Sequence, residues 1–185
     1  MLIRNKKSMS CSYLLISKVS EDFYPQKSEG FRLSRRALKD LVDLENLNIV
    51  NHLYMEDQES TKVSISHTKG LGCAMISKDS KLQSIGVDIE WSDRKYKPAI
   101  EKYFMRDEDQ ESLSLIQVWA CKEAAYKALS PLYKGEKPLV LKDFVIRDER
   151  MFFEGRDIGE VKVEELFFEK RALTLAQATI SFSDY

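Results

Sequence analysis

The chain has 185 residues, 43% of them apolar and 32% charged, with a formal net charge of −1. That size and balance suit one generous soluble domain or two small halves tightly joined. They argue against a nucleic-acid binder, no aromatic-basic RNA motif is present, and no run reaches the roughly 20 apolar residues of a membrane span.

Met1 to Lys7 sets its charges too close to a short apolar run to read as a secretory leader. Residues 12–20 read as a short buried strand, and Phe31, Leu38, Leu41, Val42 and Leu44 predict an amphipathic helix over 31–47. Val63, Ile65 and His67 alternate with Ser64, Ser66 and Thr68, the period of a strand. The turn Lys69-Gly70-Leu71-Gly72 leads to a hairpin partner over Cys73–Ser77, and a third strand is expected from Ser84 to Trp91. Beyond it, a short helical stretch over 97–103 starts through Pro98, and a long helix runs from Asp107 to Leu129, stopped by Pro131. Strands follow at 139–147, 160–168 and 172–182, the first two linked through Gly155 and Gly159. The expected fold is α+β in two similar halves, each a helix on a small antiparallel sheet, joined near Gly86 as residues 1–85 and 86–185. Cys11, Cys73 and Cys121, odd in number and without metal-ligand spacing, read as core residues of a cytoplasmic protein.

Charge is divided unevenly, with 13 Lys/Arg against 10 Asp/Glu in residues 1–85 and 16 against 20 in residues 86–185. From Lys27 to Lys39 the basic residues Arg32, Arg35 and Arg36 face only Glu29, a pattern of either a solvated helix face or a phosphate-binding patch. Gly86-Val87-Asp88-Ile89-Glu90 puts Asp88 and Glu90 on one face of a strand. Paired carboxylates repel unless a cation sits between them, and oxygen-only ligands on a stiff element suit Mg²⁺; a solvent-facing strand explains the same pattern. In the long helix, Trp119, Lys122, Glu123, Tyr126 and Lys127 form one stripe, while Leu115, Val118, Cys121, Ala125 and Ala128 form an apolar one. Glu123 and Lys127 are spaced for an i, i+4 ion pair, and the apolar flank suggests an enclosed helix whose charges need partners. His67 follows Ser66 in its strand, and His52 lacks patterned neighbours.

In this order, Ser66-His67, Gly86-Val87-Asp88-Ile89-Glu90 and Trp119-Ala120-Cys121-Lys122-Glu123-Ala124-Ala125-Tyr126-Lys127 resemble the signature of the 4′-phosphopantetheinyl transferase superfamily. Phe104 with Glu108, and Leu141 to Ile146, match further blocks, so the resemblance spans residues 27 to 147. Two halves in one chain resemble the longer, monomeric, pseudo-dimeric class typified by the enzyme that activates surfactin synthetase. The resemblance implies Mg²⁺-dependent transfer of phosphopantetheine from coenzyme A to a serine of an acyl or peptidyl carrier protein, releasing 3′,5′-ADP. It assigns Asp88, Glu90 and Glu123 to the metal shell, gives Glu123 the role of metal ligand, of base on the serine, or of both, and assigns Lys127 to the departing 3′,5′-ADP. It places Ser66, His67 and Lys122 on coenzyme A phosphates, and Lys27, Arg32, Arg35 and Lys62 on the 3′-phosphate and adenine side. The competing readings are another Mg²⁺ enzyme of phosphate esters and a non-catalytic carrier-protein-binding module on the same fold.

Overall fold

The structure, a computed structural model, describes residues 2–42, 49–50, 54–55, 58–97, 99–168 and 170–182. Among the described residues, two antiparallel sheets and two α-helices make up the α+β fold. The first sheet contains β1 (Leu2–Ser8), β2 (Cys11–Ile16), β3 (Ile49–Val50), β4 (Tyr54–Met55), β5 (Gln58–Thr68) and β6 (Leu71–Ser77), in the order β1-β2-β6-β5-β4-β3. The second contains β7 (Leu82–Trp91), β8 (Phe144–Arg147), β9 (Arg150–Phe153), β10 (Arg156–Phe168) and β11 (Arg171–Ser181), in the order β7-β11-β10-β9-β8.

Alternation along the strands explains the layering. In β2, Leu14 and Ile16 turn outward and join Leu33, Ala37 and Leu38 of helix α1 (Glu29–Val42). Cys11, Tyr13 and Leu15 turn inward, where they meet Val87 and Ile89 of β7 and Leu173 and Leu175 of β11 between the sheets. On the far side, helix α2 (Leu115–Leu129) lays Cys121, Ala124, Ala125 and Ala128 on Ala176, Ala178 and Ile180. All three cysteines are buried and free, and burial pushes the Cys11 and Cys121 thiols up to about 12, leaving them inert.

Each helix rests on its sheet over a glycine. A Cβ at Gly72 would come within 2.3 Å of the Leu33 carbonyl carbon, and one at Gly86 within 1.9 Å of the Ala124 carbonyl oxygen. Neither position has room for a side chain. The chain passes between the sheets at residues 78–81, so Gly86 lies inside β7 and the expected join near it falls within a strand of the second sheet.

Several expected elements need correction. The long helix begins at Leu115, because Ser114 forms a capping box with Gln117 that ends the preceding turns. The stretch 97–103 yields only a 3₁₀ turn at Glu101–Tyr103, Pro98 lying outside the described residues. Residues 139–147 divide into a 3₁₀ turn at Leu141–Asp143 and β8. Strands β1 and β9 have no counterpart among the expected elements. Their turns, Met9-Ser10 and Asp148-Glu149, hold both residues at positive φ (50° and 57°, 51° and 57°) without the glycine that normally advertises such a turn. Residues 43–47 of the expected first helix and His52 lie outside the described residues.

Candidate active site

Strand β7 is an edge of its sheet, so alternate N–H groups along it face away from β11. Serines of β5 satisfy them: Ser64 Oγ accepts from Val87 N at 2.9 Å and Ser66 Oγ from Ile89 N at 3.4 Å. One step further on the same face of β5, Thr68 Oγ1 donates to Glu90 Oε2 at 3.1 Å. The period-two serines of the sequence thus dock one sheet on the other, and they do so beside the two carboxylates of β7.

Those carboxylates point away from the inter-sheet core toward α2. Asp88 and Glu90 are only 6% and 8% exposed. Asp88 Oδ1 accepts from Ser66 Oγ and from Lys127 Nζ, both at 2.7 Å, while its Oδ2 is buried with no hydrogen-bond partner. Lys127 spends its remaining protons on Val87 O at 3.0 Å and Ser66 Oγ at 3.1 Å. The expected Glu123–Lys127 pair is therefore replaced by Lys127 with Asp88. Glu90 is paired with Arg94, whose guanidinium lies 5.0 Å from the Tyr96 ring centroid.

Glu123 faces this cluster from α2. Burial raises its proton affinity, and the charge of Asp88 raises it further, against the opposing pull of Lys127 and Arg94. Tyr96 is pushed up to about 12, chiefly by burial, so its phenol stays protonated. Arg35 is pulled down by burial and lies 3.9 Å from the Phe31 ring centroid.

A cleft of about 490 Å³ opens between α1, β5, β7 and α2. Of the residues read from sequence, it gathers Arg35, Ser66, His67, Asp88, Glu90, Glu123 and Lys127. His67 is exposed and packs against the first turn of α1, so closely that a Cβ at Gly30 would meet its ring at 1.7 Å. Ser66 lines the cleft and donates its hydroxyl proton to Asp88.

Four expected coenzyme A ligands do not line the cleft. Lys122 is wholly buried, pairs with Asp109 at 2.6 Å and donates to Phe104 O at 2.6 Å; burial lowers its ammonium's proton affinity while Asp109 raises it. It points into the protein because its place on α2 falls between the site stripe and the core, so the phosphate role is withdrawn. Lys62, two residues before Ser64 in the middle of β5, turns its ammonium to Asp79 O at 3.0 Å. Arg32 reaches back to Ser20 O and Glu21 O at 3.5 and 3.3 Å, and Lys27 lies 5.5 Å from the Phe31 ring centroid. Sequence reasoning missed Arg94, Tyr96 and the buried Asp109. Arg94 had one faint signal, its i+4 spacing from Glu90, which means little in a strand.

Among the described residues, no three His, Cys, Asp or Glu side chains form a ready-made metal cluster. Lys127 and Arg94 balance the charges of Asp88 and Glu90 instead. The buried, unpartnered Asp88 Oδ2 still offers one oxygen toward a hard cation, and the chemistry of this all-carboxylate set fits Mg²⁺.

No curated protein matches the chain. The family model of the 4′-phosphopantetheinyl transferase superfamily matches residues 84–176, half of the chain, from β7 through α2 and into β11. That span contains both carboxylates of β7 and the Glu123–Lys127 turn of α2. By this match the chain belongs to the 4′-phosphopantetheinyl transferase superfamily, whose members move the phosphopantetheine arm of coenzyme A onto carrier proteins.

Proposed function

We propose that the protein is a Mg²⁺-dependent enzyme of the longer, pseudo-dimeric type, which transfers 4′-phosphopantetheine from coenzyme A to a serine of an acyl or peptidyl carrier protein. The observation that carries this reading is the shared cleft: Asp88, Glu90 and Glu123 open onto the same space as Arg35 and His67 of the first half. Acids able to hold a cation thus face N–H donors able to hold a phosphate. A pseudo-dimer is supported by the repeated plan of a helix seated on a sheet over Gly72 and over Gly86. In this reading residues 1–85 contact coenzyme A and residues 86–185 supply the metal ligands and the catalytic groups, within one cytoplasmic monomer. Among the described residues no helix is long and apolar enough to cross a membrane.

In the reaction, the serine oxygen forms a bond to the phosphorus nearest the pantetheine, and the bond from that phosphorus to the oxygen of 3′,5′-ADP breaks. Glu123 takes the serine proton. Asp88, Glu90 and Glu123 would hold Mg²⁺, which supplies charge neutralisation on the pyrophosphate. Lys127 offsets charge on the departing 3′,5′-ADP, and Arg35 and His67 fix the nucleotide's phosphates, with Lys27 and Arg32 completing the basic approach. Beside Glu123 and Tyr126 lies an apolar groove of about 570 Å³, walled by Tyr103, Phe104, Trp119, Leu139 and Val140. Tyr103 is 66% and Val140 49% exposed, giving the carrier protein an apolar surface to dock on.

The test is labelling of an apo carrier protein with a fluorescent coenzyme A analogue and Mg²⁺. Wild type labels, and Asp88→Ala does not. Undiminished labelling by Asp88→Ala removes the metal assignment, and no labelling across a panel of acyl and peptidyl carriers replaces the transferase by a binding module.

A further inference from the structure

An ion pair behind the groove wall ties together three separate stretches of chain. The side chains of Lys122 and Asp109 are 0% and 1% exposed. Asp109 Oδ2 accepts from Lys122 Nζ of α2 at 2.6 Å and from its own loop, Arg106 N, at 2.8 Å. Its Oδ1 accepts from Ile146 N of β8 at 2.9 Å, and Gln110 N donates back to Ile146 O at 2.8 Å. Lys122 Nζ meanwhile grips the backbone at Phe104 O at 2.6 Å. The loop is thereby fastened at both of its ends, one to the helix that carries Glu123 and the other to the last strand of the second sheet.

What this fastening positions is the wall beside the reaction. Phe104 is fully buried, and its ring stands edge-on to Trp119 with centroids 5.0 Å apart. Trp119 lines both the cleft and the groove, and Tyr103, next to Phe104, forms the groove's exposed lip. A pair of buried charges adds little stability over apolar side chains of similar volume. Its distinctive property is direction: one carboxylate aligns three N–H donors, which no apolar side chain does.

We propose that Lys122 and Asp109 are positioning residues, which hold the 104–110 loop so that the carrier protein presents its serine to Glu123. This rests on the transferase reading above. The pair acts on the carrier side only, since neither residue lines the cleft where coenzyme A binds.

The experiment uses Lys122→Met/Asp109→Leu, which replaces the pair by apolar side chains, with Asp109→Asn as a milder second variant. Expected for both is a carrier KM raised about tenfold or, for Asp109→Asn, at least threefold, with kcat at saturating carrier and the affinity for the fluorescent coenzyme A analogue within twofold of wild type. Hydrogen exchange at the amides of Arg106 and Ile146 should speed up while that of α2 stays unchanged. A carrier KM within twofold of wild type in either folded variant overturns the proposal, as does an equal loss of coenzyme A affinity. If wild type itself labels no carrier, the transferase reading fails; the exchange data still decide the positioning, and unchanged protection at Arg106 and Ile146 refutes it.

Discussion

Gly86→Ala tests how closely the active site depends on the contact between β7 and α2. The added methyl would lie 1.9 Å from Ala124 O and 2.8 Å from Ala128 N, both atoms of the helix backbone. No side-chain rotation relieves that contact, so the helix and strand must separate by about 1.5 Å to restore ordinary packing distance. Forcing bulk into a packed interface of this kind costs about 1–3 kcal/mol. Restricting the unfolded chain returns only about 0.4–1 kcal/mol, so the clash wins. For a chain of this size each kcal/mol lowers the melting temperature by about 2–4 °C, so the net cost of about 1–2 kcal/mol should lower it by about 2–8 °C. The larger effect is on catalysis, because the interface that opens has Asp88 and Glu90 on one side and Glu123 and Lys127 on the other. A shift near 1 Å between reacting groups costs about 10²-fold in rate. Calorimetry with carrier-labelling kinetics measures both. A variant that folds and labels within threefold of the wild-type rate would refute the claim that Gly86 sets the distance across the site.

Ser66→Ala strips Asp88 and Lys127 of a shared partner and leaves Ile89 N without its acceptor. Unfolding should show a loss of about 1–3 kcal/mol, and Mn²⁺ titration followed by electron paramagnetic resonance should show weaker metal binding; wild-type affinity would contradict the positioning of Asp88 by Ser66. Glu123→Gln probes the raised proton affinity of that carboxyl, which arises first from burial and then from Asp88. The folded state favours protonated Glu123, so this stabilising contribution is complete below the unfolded value and is lost as pH rises through the folded one. With chelator present, Glu123→Gln should melt above wild type at neutral pH, and the gap should close as pH falls below the ordinary carboxylate range. A gap that widens on acidification would reverse the assignment, and transfer activity should be lost throughout.

The elements legible from sequence were those with a strong period or a glycine at the turn. Strands β5, β6 and β7 follow from the alternation around Ser66, the Lys69-Gly70 turn and the Val87/Ile89 pair. Strands β1 and β9 were hidden because Met9-Ser10 and Asp148-Glu149 adopt glycine-like backbone angles without glycine. The start of α2 was misplaced because Asp107 to Ser112 carry helix-compatible residues, whereas Asp109 is claimed by Lys122, Arg106 N and Ile146 N from outside any helix.

The sequence by itself determined which side chains share a face: Asp88 with Glu90 by the strand period, and Trp119 with Glu123 and Tyr126 by the helix period. It also carried the ordered motif that ties the chain to its family. Only the tertiary structure decided which partner each charge takes. Lys127 turns to Asp88 rather than to Glu123, Lys122 goes inward to Asp109, and Ser66 spends its proton on a carboxylate. Periodicity fixes direction about one element's own axis. Pairing depends on distances between elements far apart in the chain, and here those distances come from how closely the helices settle over Gly72 and Gly86.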